Sequence, residues 1–162
     1  MEFWWVNHNQ TFTQEFQGGY IWSPKANSNG ARNQTYLNLT RVAPGDIVFS
    51  YASSHIQAIG LVAGCHQEHA KPIDFGVAGE AWPRVGWRVP IGWHGLAEPF
   101  SPKRSIEQIR PLLPRVNSPI NPSGRGNQAC YLAGISRELG KLLLSIASQR
   151  NVLPGYLSVG VM

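Results

Sequence analysis

The chain has 162 residues, of which 43% are hydrophobic and only 14% charged, with 14 Lys and Arg against 9 Asp and Glu for a formal charge of +5. That length suits one domain with a real core, while the charge fraction lies well below the ~25% of an average soluble protein, so amides, hydroxyls and backbone must supply much of the polar surface. The two cysteines, Cys65 and Cys130, exclude a disulfide scaffold, no run approaches the ~18 apolar residues of a membrane span, and the basic excess favours a polyanionic partner without choosing one. Met1-Glu2-Phe3-Trp4-Trp5 carries no basic leader before an apolar stretch, so the expected location is cytoplasmic.

Phe3-Trp4-Trp5-Val6 reads as a first strand that ends at Asn7-His8-Asn9-Gln10. Gly18-Gly19 signals a turn, and Tyr20-Ile21-Trp22 a short second strand stopped by Pro24. Between Asn33 and Val42 the apolar positions fit a short helix. Pro44-Gly45-Asp46 turns into the strand Ile47-Val48-Phe49-Ser50-Tyr51, and a turn at Ser53-Ser54-His55 leads to an apolar strand from Ile56 to Ala63, a hairpin. Asp46 is expected to be a turn or cap residue.

The stretch from Cys65 to Ala81 follows no pattern. Trp87 to Ile91 reads as a strand, after which Gly92-Trp93-His94 is expected to turn the chain. Ser105 with Gln108 fits a capping box for a short helix ended by Pro111 or Pro114. Residues 115–127 form a Pro, Asn, Gly and Ser loop, Cys130-Tyr131-Leu132 a late strand, and Ser136 caps a helix with a core stripe of Leu139, Leu142, Leu143 and Ile146. Short strands that rarely alternate with full crossover helices favour a small barrel-like sheet in an α+β domain.

Catalytic sets are hard to assemble. There is no Gly-rich phosphate loop, carboxylates are sparse, and Cys130 beside Tyr131 reads as a small buried residue. Cys65-His66 with His69 is the best metal cluster, yet a structural zinc wants four ligands. No cofactor and no catalytic residue are expected. A metal-dependent hydrolase built on Cys65, His66 and His69 stands as an alternative of another class, and a protein-interaction module with an aromatic core as a third.

The aromatic and amide residues offer more. Six Trp are present, and Trp22 and Trp82 stand at strand or loop boundaries next to Pro24 and Pro83. A tryptophan at a strand end can stack on a flat ring while neighbouring polar atoms bond the ring's edge, which is how proteins hold an unstacked nucleobase. Asn7, Asn9, Asn27, Asn29, Asn33, Asn127 and Gln128 crowd the loops, and each amide supplies both donor and acceptor, although ordinary turn chemistry accounts for many such residues. Lys25, Arg32, Lys71, Arg84 and Arg125 are loop cations able to touch phosphates.

In order and spacing these features resemble the EVE domains of the PUA-like superfamily, to which YTH domains also belong. The elements that carry the resemblance are Trp4-Trp5-Val6-Asn7, Gly19-Tyr20-Ile21-Trp22-Ser23-Pro24, Asn29-Gly30-Ala31-Arg32-Asn33, Pro44-Gly45-Asp46-Ile47-Val48-Phe49-Ser50, Gly86-Trp87-Arg88-Val89, Ile109-Arg110-Pro111-Leu112-Leu113 and Gly126-Asn127-Gln128. They span roughly residues 1–148 and look closest to EVE domains fused to HNH nucleases in modification-dependent restriction enzymes.

The resemblance implies a PUA-like twisted pseudo-barrel of about five to six strands flanked by helices, occupying residues 1–150, with 151–162 a tail or linker stub. It implies a non-catalytic reader that flips a 5-methyl- or 5-hydroxymethylcytosine of DNA into an aromatic cage, partnered by an HNH nuclease absent from this chain; a reader of modified RNA is the neighbouring reading. Trp22 and Trp82 would be the cage walls, with Ser23, Asn7, Asn9, Phe49 and Asn127 completing the base site. Lys25, Asn29, Arg32, Asn33, Arg84 and Arg125 would meet the nucleic-acid backbone.

Overall fold

Alternation along the first strand sets the architecture. Phe3 and Trp5 fall in one core cluster, Trp4 and Val6 in another, as the two-residue period of a strand requires. The sheet is therefore covered on both faces. These observations come from a computed structural model that describes residues 1–79, 82 and 84–158.

The strands are β1 (Phe3–Asn7), β2 (Tyr20–Pro24), β3 (Ile47–Ala52), β4 (His55–Val62), β5 (Gln67–Ala70), β6 (Val85–Phe100) and β7 (Leu132–Ile135). Six run in the order β2-β6-β4-β3-β1-β7 in one curled half-barrel, and β5 pairs the start of β6. β1 and β3 are parallel, and every other pair is antiparallel. The α+β half-barrel flanked by helices is the architecture anticipated from the chain.

Trp4, Val6, Ile21, Leu39, Val48, Val89, Ile91 and Leu132 fill the concave side. The convex side packs Phe3, Trp5, Ile47, Phe49 and Ile59 under α4 (Arg137–Ser148). Gly140 lets α4 lie close, since a Cβ there would collide with the Phe3 ring. Leu153 and Leu157 join the same cluster, so residues 153–157 sit on the domain.

Several local expectations change. The chain does not turn at Gly92-Trp93-His94: β6 runs on for 16 residues, pairing Gly92, Trp93 and His94 with Leu61, Gly60 and Ile59. Here glycine makes room, because a Cβ on Gly60 would strike Ile91 and Trp93. Ser105 makes no side-chain cap, because Pro102 has already opened a 3-10 turn that leads into α3 (Ile106–Ile109). Ser136 does cap α4, its Oγ accepting from the Leu139 amide at 3.1 Å. The buried face of α4 is Leu139, Leu143, Leu144 and Ala147, rotated from the expected stripe, and Leu142 and Ile146 are half-buried.

The helix expected after Asn33 is α2 (Gln34–Leu37) followed by a 3-10 turn over Asn38–Thr40. Unforeseen are α1 (Phe12–Gly18), stopped by Gly19 in the left-handed region at φ 71°, together with β5 and the 3-10 segment Ile73–Gly79. The short α5 (Gly155–Ser158) closes the described chain. Among the described residues no helix is long and apolar enough to cross a membrane.

The edge strands β2 and β7 do not pair, and side chains bridge the seam. The Trp22 amide donates to the Tyr131 hydroxyl at 3.2 Å, and Asn38 Nδ2 donates to the Leu132 carbonyl at 2.8 Å.

Candidate functional site

At one end of that seam lies a cleft of about 490 Å³, within the size range of small-molecule sites. The loop after β1, the end of β2, the β3–β4 turn and the loop 126–131 meet there. Its aromatic side is Trp22 with Trp82. Trp22 is 1% exposed, and its Nε1 donates to the His69 carbonyl at 3.1 Å. Gly86 opposite β2 leaves space for the indole, since a Cβ there would meet the ring and the Ser23 carbonyl.

The Trp82 ring lies 6.1 Å from that of Trp22 at 31°, and Phe75 stands edge-on to both at 5.7 and 5.8 Å. A flat ring between two indoles needs about 7 Å, twice a carbon–carbon contact of ~3.5 Å. The two rings therefore form one contiguous wall here and not an open slot.

A buried polar cluster supports the floor. Glu15, from α1, is fully buried. Its carboxylate accepts from Thr11 Oγ1 at 2.9 Å and from the Tyr131 hydroxyl at 2.8 and 2.9 Å, and faces His8 Nδ1 at 2.9 Å. His8 Nε2 meets Ser50 Oγ at 2.6 Å. Burial first, and then the Glu15 charge, push the Tyr131 hydroxyl well above its ordinary range. Burial also raises Tyr36 and Tyr51, both at the cleft. All three stay neutral near pH 7 and able to donate hydrogen bonds.

Trp22, Trp82, Asn7, Asn9 and Asn127 come together at the cleft. Two of the amides are already engaged. Asn7 Nδ2 donates to the carbonyls of Pro119, Asn127 and Cys130 at 2.8 to 3.2 Å, and its Oδ1 accepts from Trp5 Nε1. Asn127 Nδ2 donates to the Ser118 carbonyl, and its Oδ1 accepts from the Ala129 amide. These two hold the 117–130 loop against β1. Among the described residues Asn9 bonds only through its carbonyl oxygen, accepting from the Ser53 amide at 2.8 Å, so its amide nitrogen is left at the cleft with the exposed Gln10 and Gln128.

Ser23 and Phe49 are not part of the cleft. The Ser23 hydroxyl is buried and donates to the Pro24 carbonyl. Phe49 is fully buried under α4, because the strand period that turns Ser50 toward His8 turns Phe49 to the other face.

The expected backbone contacts scatter. Lys25 pairs with Glu68 and lies 4.5 Å over the Trp87 ring. Asn29 accepts from the Ala31 amide, Asn33 caps α2 through the Thr35 amide, and Arg32 reaches Gln34. Arg84 is exposed beyond Trp82, and Arg125 is exposed beside Gly126 of the cleft. Asp46 is a turn residue, one of the two roles expected of it, its amide donating to the Ala43 carbonyl and its carboxylate accepting from the Glu2 and Ala43 amides and from Trp4 Nε1.

Cys65, His66 and His69 do not converge. His66 packs edge-on to Trp87, and His69 meets Arg88 and the Ala70 carbonyl. Among the described residues no three His, Cys, Asp or Glu gather in a metal-holding group. Pro83, expected beside Trp82, lies outside the described residues.

Sequence reasoning missed His8, Glu15, Phe75 and Tyr131. For Glu15 a signal existed: Thr11-Phe12-Thr13-Gln14 has capping-box spacing and Gly18-Gly19 a stop, which together bracket a helix.

No family model matches this chain, and no curated protein does. Solved structures do. A hypothetical protein from Leishmania major has a TM-score of 0.60 at 9% identity, over 92% of this chain and 96% of its own. The YTH domain of the Zygosaccharomyces rouxii MRB1 protein, solved with N6-methyladenosine RNA, has 0.56 at 11%, over 90% and 86%. The Toxoplasma CPSF4 YTH domain, solved with a 7-mer m6A-modified RNA, has 0.54 at 18%, over 97% and 96%. At such identities the likeness establishes the fold, one this chain shares with YTH domains.

Proposed function

We propose that this chain is a non-catalytic reader of modified nucleobases that takes a flipped base into the cleft against Trp22 and Trp82. The observation that carries the reading is the 490 Å³ cleft, with indoles on one side and a rim of Asn9, Gln10 and Gln128. Flipping a base costs a few kcal/mol, and stacking returns about 1–3 kcal/mol per aromatic contact. Two indole faces with edge hydrogen bonds can therefore offset it. Because the rings now touch, a base enters by displacing Trp82, the less buried of the pair.

The finer reading is 5-methyl- or 5-hydroxymethylcytosine in DNA, read on behalf of an HNH nuclease in a modification-dependent restriction system. It rests on the resemblance to EVE domains. The solved YTH complexes with N6-methyladenosine RNA favour a second reading, a modified RNA base. Titrating matched DNA and RNA oligonucleotides, each with a single modification, at fixed salt decides between them, because a 2′-hydroxyl contact appears as strong RNA preference. Trp82→Ala should lower affinity for the modified oligonucleotide about 5- to 150-fold, one stacking contact. Unchanged affinity in both Trp22→Ala and Trp82→Ala would refute the reader.

A further inference from the structure

The chain's charge is not spread evenly. Residues 101–128 hold Lys103, Arg104, Arg110, Arg115 and Arg125 against Glu107 alone, a net +4 of the +5 for the whole protein. This segment walls a second groove of about 630 Å³, with Arg110 and Arg115 in its lining. Gly126, Asn127 and Gln128 line both the groove and the aromatic cleft, so the two share a wall.

The wall is firmly built. Asn121 Oδ1 accepts from the Ser123 and Arg125 amides at 3.1 and 2.9 Å and from Ser123 Oγ at 2.7 Å, while its own amide donates to the Arg125 carbonyl. Gly124, at φ 92°, lies against the Lys103 stem, which draws that cation to the same turn. Arg110 Nε donates to the Pro122 carbonyl and its Nη1 meets Glu107, so this guanidinium braces the turn. Arg115 and Arg125 are exposed, and neither is drawn into an ion pair among the described residues. Near β2, by contrast, Lys25 is paired with Glu68 and Arg88 lies over the Tyr20 ring.

We infer that the strand entering the cleft runs over the 126–128 wall into this groove, where Arg115 in the groove lining and Arg125, exposed next to Gly126 of the shared wall, take the phosphates flanking the flipped nucleotide. The inference rests on the reader proposed above and gives it a direction: the ligand class of the second groove is a phosphodiester backbone. Such contacts position the strand and carry no sequence information. They also release counterions, so they register in the salt dependence of binding.

The test compares wild type, Arg115→Ala, Arg125→Ala, the double variant and Arg150→Ala, a cation beyond the end of α4. Two probes are used, a single-stranded oligonucleotide carrying one 5-methylcytosine and free 5-methyl-2′-deoxycytidine, with a parallel N6-methyladenosine RNA pair. The expected result is a slope of log affinity against log salt that falls by about 0.7 for each of the two arginines, the single-strand value per phosphate contact. Affinity for the free nucleoside and the behaviour of Arg150→Ala should stay at wild type. A wild-type slope in the double variant overturns the groove, and so does a failure of wild type to bind any oligonucleotide. If Trp82→Ala keeps its preference for the modified base while the arginine variants lose slope, the base cage fails and the groove stands. The reverse pattern leaves the cage and removes the groove.

Discussion

The two tryptophans of the cleft wall belong to different kinds of structure. Trp22 is part of the sheet: it pairs with Arg88 across β2 and β6, is buried, and bonds through both its amide and its indole nitrogen. Trp82 comes from a connection between strands and packs on Trp22 and Phe75 by ring contact. One wall is built by folding, and the other is laid against it. Under the proposed reading the sheet-borne face stays fixed and the other yields to the base.

The largest effect should separate the two. Trp22→Ala should cost about 3–5 kcal/mol of stability, as a fully buried aromatic does, whereas Trp82→Ala should cost about 1 kcal/mol. Urea unfolding measures both, and equal losses would erase the contrast. Glu15→Ala comes next, at about 2–4 kcal/mol, because it strands the Tyr131 and Thr11 hydroxyls and His8 in the interior. Glu15→Gln should recover part of that loss. Amide exchange at Trp22 would show whether Glu15 steadies the sheet-borne wall through Tyr131.

Alkaline pH probes the same interior more gently. Burial pushes the Cys130 thiol from its ordinary 9.0 up to about 12 and raises Tyr131 above its ordinary 10.0. Both groups hold their protons more tightly when folded. Their contribution is complete below pH 9, declines as the unfolded chain deprotonates, and is lost on passing the folded values. Urea midpoints should be flat from pH 7 to about 9 and fall above it. At pH 8 a thiol reagent should modify exposed Cys65 and spare Cys130 in the folded protein. The smallest effect belongs to Lys25→Ala, which removes an exposed pair with Glu68 and should change stability by less than about 1 kcal/mol.

What could be read in advance followed the range of the interactions. The β3–β4 hairpin and the Ser136 cap depend on neighbours within a few residues, and both were legible. So was the strand end at Trp22, because an apolar run ending in Ser23-Pro24 marks one. Phe49 shows the boundary of that reasoning. Alternation puts Phe49 and Ser50 on opposite faces, yet nothing local says which face looks into the cleft. Asn7 shows it again. Its residue type suits a base edge, but its amide is committed to carbonyls 112 to 123 positions away. Gly92 read as a turn because its partner Leu61 lies in another strand.

Composition and order were thus enough for an α+β barrel-like domain, a basic surface and an aromatic strand end beside amide-rich loops, since propensity, period and turn chemistry act over short stretches of chain. Tertiary structure decided the rest. It paired β1 with β3 in parallel, drew Glu15 beneath the seam, set Trp82 against Trp22 and joined the groove lined by Arg110 and Arg115 to the cleft at residues 126–128. Each of these joins residues far apart in the chain, and only the packing of the whole sheet brings them into contact.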